Sequence, residues 1–259
     1  MMKKEIVLLL SVLQMFLVAI VPVWAGEVHL SVAASMTDAI KELDAVFMAD
    51  HPGVTMLPNF GSSGSLAKQV AQGAAADLFV SANPKWMSYL ETEGKIARQT
   101  VRDLAKNTLV VIGPQRAPLK SLNDLQAMER IALGSPGSVP AGQYAAQAMR
   151  AAGVYDRLVE SKKLVMAKDV RQALLYADRG EVDGAFVYGT DALLVQKAVI
   201  LYTVPANLHD PISYPMGLTV EGEKNSAARA FYDFLASPAA IGILEKYGFG
   251  TPAAGTAVK

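Results

Sequence analysis

Small hydroxyl and glycine residues stand directly behind several apolar runs of this chain, a placement suited to holding an anion with neutral donors. Ser35-Met36-Thr37-Asp38 follows the run Val28 to Ala34, and Gly61-Ser62-Ser63-Gly64-Ser65 follows Thr55 to Phe60. Further on, Gly134-Ser135-Pro136-Gly137-Ser138-Val139-Pro140-Ala141-Gly142 closes a third run, and Phe186-Val187-Tyr188-Gly189 ends a fourth with a phenol. Where a strand gives way to a helix, the first backbone N–H groups lack helical partners and carry partial positive charge, so they bind an anion without a charged side chain. Serine hydroxyls add donors. Pro140 at a first helical position leaves Val139 as the entry residue, whose N–H can face a ligand.

Each segment also has a purely structural reading. Ser35-x-x-Asp38 fits a capping box that serves only its own helix. Gly61 to Ser65 fits a plain loop, the Pro140 segment an ordinary proline-started helix, and Tyr188 a tyrosine at the edge of the core. The Gly61 to Ser65 stretch also resembles a serine-hydrolase nucleophile elbow, but Ser65 stands where the closing glycine belongs and no histidine takes a recognisable partner position. Three histidines, His29, His51 and His209, lie far apart in a chain with no cysteine, which disfavours a zinc site and excludes disulfides, thiolate ligands and a lipid-bearing cysteine.

The elements that must position these groups read as alternating strands and helices, the signature of an α/β fold with mainly parallel strands. Besides the runs above, strands are expected at Asp77 to Ala82, Thr108 to Ile112, Ile131 to Gly134, Lys163 to Met166, Ala185 to Tyr188, Ile200 to Val204 and Met216 to Val220. Thr37 to Asp50 places Ile40, Leu43, Val46 and Phe47 on one stripe and stops at His51-Pro52-Gly53, as a helix should. Further helices are expected over Ser65 to Gln72, Pro84 to Glu93, Pro140 to Ala152, Val170 to Arg179, and Ser226 to Tyr247 with a break near Pro238. No flexible linker divides the chain, so two domains would be joined by strand-like crossings, expected near Leu104 to Asn107 and Pro205 to Pro215. That divides the chain into residues 26–105 with 215–259 as one lobe and 106–214 as the other.

Met1 to Ala25 has the layout of a secretory signal peptide, with Lys3 and Lys4, an apolar run from Ile6 to Val21, and Val23-Trp24-Ala25 at the cleavage positions. Cleavage is expected after Ala25, which places the protein in the periplasm; an uncleaved anchor would still leave the folded part outside the cytoplasm. Of 259 residues, 24 are basic and 24 acidic. With no basic block, the chain lacks the positive face that nucleic acid requires.

Taken in order, Ala33-Ala34-Ser35, Phe60-Gly61-Ser62-Ser63, Ala76-Asp77-Leu78-Phe79-Val80-Ser81-Ala82, Val139-Pro140-Ala141-Gly142-x-Tyr144 and Val187-Tyr188-Gly189-x-Asp191 closely resemble the periplasmic molybdate-binding proteins of ABC importers. The likeness runs from about residue 27 to about residue 249. It implies a two-lobed periplasmic-binding-protein fold of type II with the ligand cleft between lobes, no enzymatic activity, and no cofactor or direct metal ligand. It implies molybdate or tungstate held through its oxygens, a membrane permease as partner, and a monomer. Position by position it implies ligand roles for Ser35 and Ser63 through hydroxyl and backbone, Ala82 and Val139 through backbone N–H, and Tyr188 through its phenol. Ser63-Gly64-Ser65 departs most from the family pattern, which leaves Ser62 and Ser65 open as further donors.

A buried dianion needs a donor at every oxygen, and this set supplies donors without a carboxylate. Phosphate near neutral pH usually keeps a proton that needs an acceptor, so it is disfavoured; sulfate carries none and differs from molybdate only in size. Donors from both lobes imply that binding closes the cleft.

Overall fold

The structure, a computed structural model, describes residues 26–114 and 118–251; the expected leader lies outside the described residues. Among the described residues, ten strands form two mixed sheets of five. The first comprises β1 (Gly26–Ala33), β2 (Val54–Gly61), β3 (Leu78–Val80), β4 (Arg102–Lys106) and β10 (Ser213–Leu218), ordered β2-β1-β3-β10-β4. The second comprises β5 (Leu109–Gly113), β6 (Ile131–Gly134), β7 (Leu164–Ala167), β8 (Gly184–Tyr188) and β9 (Val199–Thr203), ordered β7-β6-β8-β5-β9. In each sheet four strands run in one direction and a single strand, β10 in the first and β5 in the second, lies antiparallel between two of them. The chain passes from the first sheet to the second between Lys106 and Leu109 and returns between Thr203 and Ser213.

The helices follow the apolar stripes. In α1 (Thr37–Asp50), Ala39, Ile40, Leu43 and Phe47 are buried while Val46 faces solvent, and the His51 N–H closes the last turn on the Met48 carbonyl at 3.2 Å. The helices α2 (Ser63–Ala71), α3 (Pro84–Thr92), α4 (Pro140–Ala151), α5 (Tyr155–Glu160), α6 (Val170–Asp178), the single turn α7 (Gly189–Ala192), α8 (Ser226–Phe234) and α9 (Pro238–Lys246) complete the layers. The expected break near Pro238 is the gap between α8 and α9, where Ser237 caps the second helix through the Ala240 N–H at 3.2 Å.

Three elements differ from expectation. Strand β10 begins at Ser213, not Met216, because its register shifts between Tyr214 and Pro215 and so tolerates a proline inside the sheet. Strand β4, Arg-Asp-Leu-Ala-Lys, is an edge strand with neither alternation nor β-branched residues, and α5 is too short to show a period.

One core residue is polar. Asp44 is 4% exposed on α1, its Oδ1 meets no protein partner, and burial pushes its carboxyl up to about 7. A carboxyl raised above its unfolded value near 4 binds more protons when folded, so it lowers stability as pH climbs from about 4 through about 7. Asp44→Asn removes this titration but keeps an unpartnered polar head. We expect the variant to be about 1–2 kcal/mol more stable than the wild type at pH 8 and no more stable at pH 4, measured by urea unfolding at both values.

Candidate functional site

Ser35, Ser63, Ala82, Val139 and Tyr188 all line one cavity where the carboxyl ends of strands from both sheets meet helix starts. Ala33, Ala34, Gly61, Ser62, Pro140, Ala141, Asp169 and Val170 complete its wall. The cavity is small, offering about 10 Å³ to the centre of a water-sized guest, the room for a single small guest.

Ser35 does not form the capping box. It sits in a 3₁₀ turn, Ala34–Met36, and the N-cap of α1 is Met36 with no side-chain cap. Its hydroxyl shares a 2.9 Å hydrogen bond with the Tyr214 phenol, which also accepts Asn107 Nδ2 at 3.1 Å. With Asn107 donating into Tyr214, the phenol proton can go to Ser35 Oγ, which leaves the Ser35 proton for a guest. Ser63 repeats the arrangement: its Oγ accepts the Ala82 N–H at 2.9 Å and keeps its own proton to give. A hydroxyl that already accepts one bond is a stronger donor for the next.

The structure therefore directs two of the expected N–H donors elsewhere. The Ala82 N–H is held by Ser63, within a turn fixed by Ser81 Oγ on the Asn83 carbonyl at 2.6 Å. The Val139 N–H turns back to the Ser135 carbonyl at 2.8 Å instead of pointing out of the helix start. The first-turn N–H groups of α4 behind it, on Ala141 and Gly142, have no acceptor inside the helix, and Ala141 lines the cavity. Ser62 and Ser65 satisfy each other: Ser62 Oγ donates to Ser65 Oγ at 2.8 Å and caps the Ser65 N–H at 3.3 Å.

Tyr188 is 1% exposed and its hydroxyl meets no hydrogen-bond partner in the protein. Its ring stands edge-on to Tyr214 at 5.9 Å. Burial raises both phenols well above the usual tyrosine value, so each stays protonated and able to donate. Behind Tyr188, Asp191 is completely buried, accepts the Tyr188 N–H at 3.3 Å, and has its carboxyl pushed up to about 7 by burial, with Arg171 opposing.

Sequence reasoning missed Tyr214, Asn107 and Asp169. Asp169 brings a carboxylate to the cavity wall, but its Oδ1 is occupied capping the Gln172 N–H of α6 at 2.8 Å. Its position before an apolar run was a readable N-cap signal; nothing in the sequence links Tyr214 to Ser35. Ser63 pairs with a backbone N–H and not with a base, unlike a hydrolase nucleophile.

A family model described as bacterial extracellular solute-binding protein matches residues 28–250. The chain belongs to that family. This solute-binding protein is 40% identical over 85% of its length to a putative ABC transporter substrate-binding lipoprotein, YvgL, of Bacillus subtilis, 85% of which is covered. It is 38% identical over 86% of its length to the molybdate-binding protein ModA of Escherichia coli, 89% of which is covered. Among solved structures, the substrate-binding domain of a putative molybdenum ABC transporter from Clostridium difficile superposes with a TM-score of 0.67 at 33% identity, covering 88% of this chain and 99% of that one. The relatives are solute-binding proteins and not enzymes, and for the Escherichia coli relative molybdate is a bound ligand, not a cofactor. The two five-stranded sheets are the two α/β lobes of the periplasmic-binding-protein fold.

Proposed function

We propose that this solute-binding protein captures molybdate, and tungstate with it, in the periplasm and delivers it as a monomer to the membrane permease of an ABC importer. The observation that carries this reading is a small cavity between two lobes in which protonated hydroxyls converge and the one wall carboxylate, Asp169, has an oxygen committed to capping α6. Such a lining suits a small tetrahedral oxyanion that carries no proton of its own, and the specificity named for the Escherichia coli relative supports molybdate among these. In this reading Ser35, Ser63 and Tyr188 give hydroxyl protons to the oxygens. Ala82 and Val139 contribute N–H groups once the ion draws them from their present partners. The expected lobe bounds, 26–105 with 215–259 and 106–214, shift by one or two residues, because Lys106, Ser213 and Tyr214 belong to the first sheet: the first lobe holds 26–106 and 213–251 of the described residues and the second lies between them, behind a leader ending at Ala25.

The test is titration of the ligand-free protein with molybdate, tungstate, sulfate and phosphate, by calorimetry and by the fluorescence of Trp86. That indole packs over Gly64, one residue from Ser63. Molybdate and tungstate are expected to bind at least a hundredfold more tightly than sulfate, and phosphate more weakly still. Preference for sulfate would replace molybdate as the solute; binding of none of the four would end the oxyanion reading.

A further inference from the structure

Arg171 belongs to none of the motifs read from the sequence, yet it touches both lobes beside the cavity. It projects from the first turn of α6 with its side chain 25% exposed. Its Nη2 donates to the Ser35 carbonyl at 3.2 Å and to Asp38 Oδ2 at 2.8 Å, both on the lobe built around β1. On its own lobe its Nε lies 2.9 Å from Asp191 Oδ1, and the other oxygen of Asp191 accepts the Tyr188 N–H. One guanidinium thus connects the segment that carries Ser35 to the segment that carries Tyr188. Other bonds between the lobes around this cavity among the described residues are neutral: Gly64 N–H to the Ser138 carbonyl at 2.9 Å, Asn83 Nδ2 to Gln143 Oε1 at 2.5 Å, the Tyr144 hydroxyl to the Ala82 carbonyl at 3.4 Å, and Asn107 Nδ2 between Thr190 Oγ1 at 2.9 Å and the Tyr214 hydroxyl at 3.1 Å.

We propose that Arg171 is a positioning residue that latches the closed cleft, holding Ser35 in one lobe against Tyr188 in the other and so prolonging the stay of a bound oxyanion. The inference rests on the oxyanion reading of the cavity. The two halves of the cluster have different jobs. Asp191 is buried, and separating a buried carboxylate from its cation is strongly unfavourable, so Arg171 stays with Asp191 whether the cleft is open or closed. Asp38 is 39% exposed at its side chain and regains water when the lobes part. The Asp38 and Ser35 contacts are therefore the ones made on closing and broken on opening, and Asp191 is their anchor. An ionic contact across an opening seam acts on the rate of escape more than on the rate of encounter.

This division selects the variant. Arg171→Gln would orphan Asp191 and endanger the fold, whereas Asp38→Asn removes the charge at the seam and leaves the anchor whole. Stopped-flow Trp86 fluorescence with molybdate is expected to show dissociation about 2- to 5-fold faster in Asp38→Asn, with association and melting temperature close to wild type. Added sodium chloride should speed dissociation of the wild type toward that of the variant and leave the variant nearly unmoved. The chain has no cysteine, so spin labels can be attached to cysteines introduced at the exposed positions Lys41 and Glu160, one in each lobe. The ligand-free distance distribution should then shift toward longer separations in Asp38→Asn. Unchanged dissociation together with an unchanged distance distribution would overturn the latch. If the wild type binds none of the four anions, the oxyanion reading fails and the distance measurement alone decides whether Arg171 holds the lobes together.

Discussion

Tyr188→Phe is expected to weaken oxyanion binding by about 10- to 150-fold without lowering the stability of the ligand-free protein. The affinity loss is that of one hydrogen bond to a charged group, about 1.5–3 kcal/mol. The stability expectation comes from the environment of the phenol. Its hydroxyl is buried and unpartnered in the protein, so deleting the oxygen removes an unmet polar group while the ring keeps its edge-on contact with Tyr214. The ligand-free variant should melt at or slightly above the wild-type temperature. Calorimetric titration with molybdate and a thermal melt test both halves; unchanged affinity would remove Tyr188 from the ion's neighbours.

Ser63→Ala should separate from Tyr188→Phe in the sign of its effect on the empty protein. Ser63 Oγ holds the Ala82 N–H at 2.9 Å, so its loss leaves a buried donor unmet and costs the ligand-free protein about 1–3 kcal/mol. A bound oxyanion would then take over the freed N–H and return part of that cost. The affinity loss should accordingly fall near the lower end of the same range, about tenfold, with a larger thermal shift on binding than the affinity alone suggests. Equal stability of variant and wild type without ligand would mean that the Ser63–Ala82 bond is not formed in solution.

These two cases show how far the site could be read in the residues. Hydroxyl residue types after strands made candidate donors legible beside structural alternatives, and the family resemblance singled out Ser35, Ser63 and Tyr188, which the structure brings to one cavity. The direction of a backbone N–H has no such signature. It is set by turns such as Ser81 to Asn83 and Ser135 to Val139, which is why the Ala82 and Val139 donors prove to be engaged within their own surroundings. Partners fixed only by folding were illegible for the same reason. Tyr214 meets Ser35 across 179 positions, and Arg171 meets Asp38 across 133. In the fold, α1 was read to its last residue because its stripe and its stop agree, whereas β4 lacks a pattern and Pro215 hid the start of β10.

The seat of α4 against β6 bears on how ions of equal charge and symmetry can be told apart. A Cβ at Gly142 would overlap the Gly134 carbonyl oxygen, and one at Gly134 would overlap the Val139 side chain, so strand end, entry residue and helix start interlock without slack. A compliant cleft would shrink onto a short-bonded ion and swell around a long-bonded one, and so measure neither. A wall that cannot yield by even a methyl group turns a few tenths of an ångström in bond length into strain or lost contact. On the proposed oxyanion function, discrimination by size would rest on this stiffness, and loosening the interlock should blur the radius the protein accepts before it abolishes binding.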